Sequence, residues 1–170
     1  LSMLRTLPNL VAHDNADLLL VDEDGRPSNL VSMLRHNDGQ INEDTHDYAL
    51  QALEYKNIRQ VLETKKPLII EDTRRYPGWV FAPDRMDIRS ALSAPLKVQN
   101  RVFGHISIYS RKVRFFNEEH VRRLQIFTDQ CAPVLENARL ALQNQQRAKE
   151  AEALQATGME ITSSLSQQEI

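Results

Sequence analysis

Apolar positions along the chain fall into helical and strand periods. Leu1, Leu4, Leu7 and Val11 recur at helical spacing, interrupted by Pro8, and predict a first helix over residues 1–13. Leu18, Leu19, Leu20 and Val21 form an unbroken apolar run that enters the turn Asp22-Glu23-Asp24-Gly25. That is the pattern of a strand covered on both faces, and SNLVSMLRHN, residues 28–37, reads as its return strand. Leu50, Leu53, Ile58, Val61 and Leu62 predict two short helices or one bent helix over 44–65, with Asn57 as a cap for the second half and Pro67 as the stop. LIIED, residues 68–72, is another short strand, and TRRYPGWVFAPDRMDIR after it has no clean period. SALSAPLKVQNRVFGHISIYS, residues 90–110, is a β-hairpin turning at Gln99-Asn100-Arg101. Pro95 removes one ladder donor, so its strand is an edge there or carries a bulge.

The last third is different. Asn117 is a candidate N-cap, with Glu118 and Glu119 in the first turn where the helix dipole favours them. The helical pattern runs to about Thr157, roughly 60 Å at 1.5 Å per residue. Pro133 lies inside it. Phe127, Cys131, Val134, Ala138 and Ala141 recur at alternating gaps of four and three, a heptad seam. Beyond Leu142 the seam weakens into QNQQRAKEAE, and Gly158 precedes MEITSSLSQQEI. The expected organisation is a domain over 1–142, a helical linker continuing the coiled coil over 143–157, and the start of a following module over 158–170. With strands joined mostly by hairpins, the fold class is α+β: a central antiparallel sheet with helices on its faces and a long C-terminal helix.

Composition narrows the function. The 170 residues suffice for one domain with a real core, and the net charge of −2 gives no footprint for nucleic acid or an anionic membrane. A single cysteine, Cys131, rules out an internal disulfide and a multi-cysteine metal site, and fits a cytoplasmic setting. No apolar run approaches a membrane span, and the opening at Leu1 rather than Met suggests a piece of a longer polypeptide. No paired histidines at helical spacing suggest a metal, and no glycine-rich phosphate loop exists among the five glycines.

Several stretches of this sequence are similar to one family. A helix runs into Thr64-Lys-Lys-Pro67, a strand ends in Asp72, and Arg89-Ser90-x-Leu92-x-x-Pro95-Leu96 follows. Gly104 stands four residues from the hairpin turn, and Phe115-Phe-Asn-Glu118-Glu119 opens the last helix. Together they resemble the second half of a GAF domain, with the first half, ADLLLVDEDG, similar but less distinctive, over residues 10–142. The resemblance implies a GAF/PAS-like six-stranded antiparallel sheet with the terminal helices on one face and a ligand pocket on the other. It also implies a sensory or dimerising module, mostly not an enzyme, such as occurs in histidine kinases, cyclases, phosphodiesterases and transcription regulators. The chain departs from the named subgroups. It lacks the Asn-Lys/Phe/Asp-Glu signature of cyclic-nucleotide binders, and Cys131 falls in the terminal helix rather than in a bilin pocket. One cysteine is too few for the family's enzymes that reduce free methionine sulfoxide. No cofactor is expected, neither bilin nor haem.

The hairpin's C-terminal strand poses the central question. Val102, Gly104, Ile106 and Ile108 form an ordinary core face, whereas Phe103, His105, Ser107 and Tyr109 form a half-polar one. If helices cover the apolar face, the half-polar face borders a cavity where His105, Ser107 and Tyr109 meet a ligand. Alternatively, loop backbone satisfies these groups in a filled interior. The loop RRYPGWVFAPDR offers Tyr76, Trp79 and Phe81 for stacking and Arg85 and Arg89 for bidentate bonds, a setting for a planar or anionic ligand. Its alternative is a lid whose aromatics plug the cavity and whose arginines pair with Asp72, Asp84 and Asp87.

The seam at Phe127, Cys131, Val134 and Ala138 is the candidate dimer interface, since one layer of domain cannot cover so long a helix. The leading expectation is thus a small-molecule sensor relaying its state through the terminal helix to an adjacent output domain, acting as a homodimer. An alternative is a ligand-free dimerisation module. A third reading takes Asp22 as nucleophile and Asp24 as acid/base of a magnesium phosphatase, but Arg26-Pro27 stands where that motif needs threonine. An acidic hairpin turn is the preferred reading there.

Overall fold

The computed structural model describes residues 2–22, 26–34, 41–42, 54–80 and 86–166. In chain order they form α1 (Ser2–Leu10), β1 (Asn15–Val21), β2 (Pro27–Leu34), β3 (Ile41–Asn42) and α2 (Lys56–Thr64). Then come β4 (Leu68–Ile70), β5 (Ser90–Val98), β6 (Arg101–Ser110) and α3 (Glu118–Ser166). The strands lie in the order β3-β2-β1-β6-β5-β4, and every neighbouring pair is antiparallel. The expected α+β class with an antiparallel sheet and a long C-terminal helix is what the chain adopts.

The sheet centre is buried on both faces: residues 15–19 of β1, 91–96 of β5 and 103–110 of β6 lack the alternation of a half-exposed strand. Ala16 and Leu18 pair with Ile108 and Ile106, which pair onward with Leu92 and Ala94, so the centre of one face is apolar across three strands. The opposite face carries α2, whose Ile58 packs with Leu19 and Val21 while Tyr55 and Leu62 rest against them. Leu7, Val11, Leu124 and Phe127, from α1, its exit and α3, are buried as well. Arg123 Nη1 donates to Leu10 O at 3.4 Å, tying those two helices.

Local chemistry fixes the joints. Gly104 is required because a Cβ there would sit 2.3 Å from Leu19 O on β1. Pro95 pairs with His105 on one side and lies beyond the last β4 pairing, Leu68 with Ser93, so its missing N–H breaks no ladder bond to β4. A register shift comes after it, at Leu96/Lys97. Asn57 does not cap α2: the N-cap is Tyr55, with no side-chain bond, and Asn57 is buried inside the helix. At the other end Lys65 adopts a left-handed conformation with φ 57° and closes α2 through its N–H on Val61 O. Its Nζ also donates to Asn100 O at 2.7 Å in the β5–β6 turn.

Asn117 caps α3 as expected, its Oδ1 accepting from the N–H groups of Glu119 at 3.0 Å and His120 at 3.2 Å. The helix does not stop near Thr157 but continues through Gly158 to Ser166. A glycine inside a helix costs about 1 kcal/mol, which flanking helix formers outweigh unless the backbone turns left-handed. The chain divides into two compact units, Leu1–Pro133 and Val134–Ile170. The first contains the sheet. In the other unit, Arg139 Nε and Nη2 grip both carboxylate oxygens of Glu136 at 2.7 and 3.1 Å.

Candidate functional site

The half-polar face of β6 lies beneath α2 and the loop after β4. Register places Asp17 of β1, Ser107 of β6 and Ser93 of β5 in one row across that face. Ser93 Oγ and Ser107 Oγ share a hydrogen bond of 2.7 Å. Tyr109 Oη donates to Asp17 Oδ2 at 2.9 Å. His105, on the other side of Ser107, is 1 % exposed, and its Nδ1 has no hydrogen-bond partner. Burial pushes its pKa down to about 4, against the upward pull of the Asp17 carboxylate. The imidazole is therefore neutral at physiological pH, with one nitrogen a donor and the other an acceptor. The row forms a polar floor under an otherwise apolar layer.

The loop closes over the Tyr109 end of this floor. Thr73 pins its start to its finish: Thr73 Oγ1 donates to Ile88 O at 2.8 Å and Thr73 N–H to Arg89 O at 2.9 Å. Arg89 N–H in turn bonds Ser110 O at 2.8 Å. Gly78 takes φ 84°, a left-handed turn that brings Trp79 N–H to Tyr76 O at 3.2 Å. The Trp79 ring meets Tyr109 edge-on, with centroids 6.3 Å apart and planes at 76°. Leu68, Tyr76 and Trp79 pack on the buried cluster Ile70, Ile88, Ala91 and Tyr109. Tyr76 Oη donates to Gln60 Oε1 of α2 at 2.9 Å, and burial pushes the Tyr76 pKa up.

Outside the loop lies an open groove of about 550 Å³, lined by Ile69, Glu71, Asp72, Arg75, Tyr76, Pro77, Arg89 and Arg114 among others. Asp72 sits between Arg89, whose Nη2 is 3.4 Å from Oδ1, and Arg75, whose Nε is 3.7 Å from Oδ2. Burial tends to raise the Asp72 carboxyl. The Arg74 N–H, the Arg89 guanidinium and the Arg75 charge outweigh it and hold the pKa below its usual value. Glu71 pairs with Arg114 at 3.2 Å.

The predicted site residues thus separate. His105, Ser107 and Tyr109 share the floor, Tyr76 and Trp79 join Tyr109 in the loop cluster, and Arg89 with Tyr76 lines the groove. Phe81, Arg85 and Asp84 lie outside the described residues, as does Asp24. Asp87 pairs with Arg111, at 2.6 Å. Of the dimer candidates, Phe127 and Cys131 are buried within the first unit, and burial raises the Cys131 pKa. Val134 is 57 % exposed and Ala138 is exposed. Asp22 closes the β1–β2 hairpin, its Oδ1 accepting the Arg26 N–H at 2.8 Å. A phosphatase nucleophile strand needs parallel neighbours, and β1 has antiparallel ones on both sides.

Sequence reasoning missed Asp17, Ser93 and Arg114. Asp17 carried a readable signal, an acid immediately before an unbroken apolar run. Arg114 carried none, because its place in the groove comes from a backbone bond, Arg114 N–H to Glu71 O at 2.8 Å, between distant segments. Among the described residues no group of histidine, cysteine and acidic side chains is placed to hold a metal ion. No helix among them is long and apolar enough to cross a membrane.

Known structures share this architecture. The GAF domain of a phosphoenolpyruvate-protein phosphotransferase from Acinetobacter superposes with TM-score 0.61 at 15% identity, over 81% of this chain and 80% of that one. The GAF domain of a two-component sensor histidine kinase from Bacillus halodurans gives 0.59 at 18% identity, over 82% and 92%. A type II free methionine-R-sulfoxide reductase from Thermoplasma acidophilum gives 0.59 at 16% identity, over 78% and 86%. No curated protein matches the chain in sequence. The family model described as GAF domain matches residues 3–136. That span runs from α1 through the sheet and the loop into α3, and on that match the chain belongs to the GAF domain family.

Proposed function

We propose that the chain is the small-molecule-sensing module of a multidomain signal-transduction protein, and that it is regulatory rather than catalytic. The observation that carries this reading is the polar floor. A core that had only to be filled would not need Asp17, Ser93, His105 and Ser107 side by side on one buried face, with His105 Nδ1 lacking a partner. A ligand with a complementary polar group, held there beneath α2 and the loop, gives His105 Nδ1 its partner. Similar folds in a sensor histidine kinase and in a GAF domain/HD domain protein from Geobacter sulfurreducens support a signalling context. The loop leads into β5, β5 into β6, and β6 into α3, so a ligand that prefers one loop arrangement can bias α3. In this reading two chains pair through the terminal helices, with Val134 and Ala138 at the contact, and an output domain adjoins in the cytoplasm.

The test is native mass spectrometry of the chain after incubation with a metabolite extract, with thermal unfolding alongside. A retained small molecule, lost in Ser107→Val, is the expected result. No retained mass and no thermal shift would remove the sensing role.

The dimerisation-only reading has its own observation. Trp79, Tyr76, Ile88 and Tyr109 already fill the space over one end of the floor. A module that only holds two copies together needs nothing more, and the negative outcome of the same test selects it.

A further inference from the structure

The groove outside the loop is a separate site from the floor, since neither His105 nor Ser107 lines it. Its wall carries Arg75, Arg89 and Arg114 against Glu71 and Asp72, which leaves one positive charge unmatched among these lining residues. Two of the existing pairs are held by exposed arginines. Arg75 is 84% exposed and 3.7 Å from Asp72. Arg114 is 74% exposed and 3.2 Å from Glu71. Such pairs add little stability and give way to a better acceptor.

Arg89 is the fixed member. Its backbone is tied on both sides, N–H to Ser110 O and carbonyl to Thr73 N–H. Its guanidinium reaches Asp72 through Nη2 alone, at 3.4 Å, and its Nε has no partner. The planar fork that suits a carboxylate or phosphate is therefore not closed by Asp72. Arg114 is held in the left-handed region at φ 53° and anchored by its N–H on Glu71 O. Tyr76, Pro77 and Ile69 add an apolar flank, and about 550 Å³ accommodates a small organic molecule.

We propose that this groove binds a small organic anion, a carboxylate or phosphate monoester on a flat apolar body. The anionic head lies among Arg75, Arg89 and Arg114, and the body lies against Tyr76 and Pro77. Arg75 belongs to the loop after β4, and Arg114 to the segment between β6 and α3. The bound anion therefore joins the loop to the segment that leads into the terminal helix. This holds whether or not the floor takes a ligand of its own.

The test is a titration of the ¹⁵N-labelled chain with sodium benzoate and, separately, sodium phenyl phosphate, each against sodium chloride of equal ionic strength. The arginine Nε–Hε resonances are the readout. The expected result is saturable shifts at Arg75, Arg89 and Arg114 that chloride does not reproduce. Saturation by benzoate alone assigns a carboxylate, and by phenyl phosphate alone a phosphate. The Arg75 and Arg114 side chains are both exposed, so R75Q/R114Q keeps the fold and weakens binding about tenfold or more, the loss of charge-assisted hydrogen bonds. Arg89→Lys, which keeps the charge but loses the fork, weakens it as well. Absence of saturable shifts with both anions, shifts reproduced by chloride, or undiminished affinity in R75Q/R114Q would overturn the proposal.

Discussion

Tyr109 Oη donates to Asp17 Oδ2 at 2.9 Å across two neighbouring strands, and both side chains are buried. A carboxylate in this setting depends on its donors, because water is not there to replace one that is lost. Tyr109→Phe removes the hydroxyl but keeps the ring against Trp79. We expect a loss of about 1–3 kcal/mol in urea unfolding. A variant as stable as the parent would show that Asp17 does not need this bond.

His105 links the same patch to pH. Its pKa is about 4 in the fold against an ordinary 6.5, so between those values the unfolded chain binds a proton that the folded chain does not. Its contribution is complete above pH 6.5 and is lost as pH falls toward 4. The full difference is about 3 kcal/mol. Stability measured by urea at pH 7 and pH 4.5 should fall accordingly, and His105→Gln should flatten the fall. An unchanged slope in that variant would show that another group titrates.

How far the sequence carried this picture depended on what each residue needs. The β5–β6 hairpin, the Asn117 cap and the acidic turn at Asp22 rest on neighbours within a few positions, and their chemistry is visible in a string of letters. Asn57 reads as a cap in the sequence but is not one, because side-chain preference for a helix start is weak against tertiary packing, which buries Asn57 instead. The β6 face Phe103–Tyr109 was readable as half polar, yet its partner Asp17 is 92 positions away from Tyr109 and pairs with it only through the register of β1 on β6. The seam Phe127–Cys131–Val134–Ala138 was visible as a period. A period does not say which partner covers it, and Phe127 and Cys131 are buried within the first unit while Val134 is open.

Gly104 is where β6 comes closest to β1. A Cβ would stand 2.3 Å from Leu19 O and 3.1 Å from Leu20 Cδ2, and the first of these is backbone that cannot swing away. Gly104→Ala must therefore push the strands apart or break the Leu20–Gly104 pairing. We expect a loss of about 3 kcal/mol or more, read as a lowered urea midpoint or as recovery only in the insoluble fraction. Normal stability in this variant would contradict the strand pairing itself.

The dimer proposal makes its own prediction. If two chains meet along their terminal helices, Val134→Glu with Ala138→Glu places like charges at the contact and should shift sedimentation from a two-chain to a one-chain mass. Both positions are exposed, so the circular dichroism spectrum of the first unit should be retained. A parent chain that already sediments as one chain would end the dimer proposal.

Trp79 distinguishes a filled interior from a receptive one. It is the only tryptophan, half-buried, with its ring edge-on to Tyr109 and packed on Ile70, Ile88 and Ala91. Its emission therefore reports this one place. A ligand entering under the loop must change the polarity around the indole or move it, whereas a module filled by its own aromatics has no reason to respond to small molecules. Trp79→Ala should cost about 2 kcal/mol through lost packing in either case. The sensor and the plug differ in whether that stability can be restored. In a self-filled module the variant simply loses stability, while in a sensor the hollow left over the polar floor admits larger ligands and the lost stability returns when they are added. Thermal unfolding of Trp79→Ala with and without a metabolite extract measures this. Recovery toward the parent Tm supports the sensor, and a Tm that no fraction of the extract moves supports the plug.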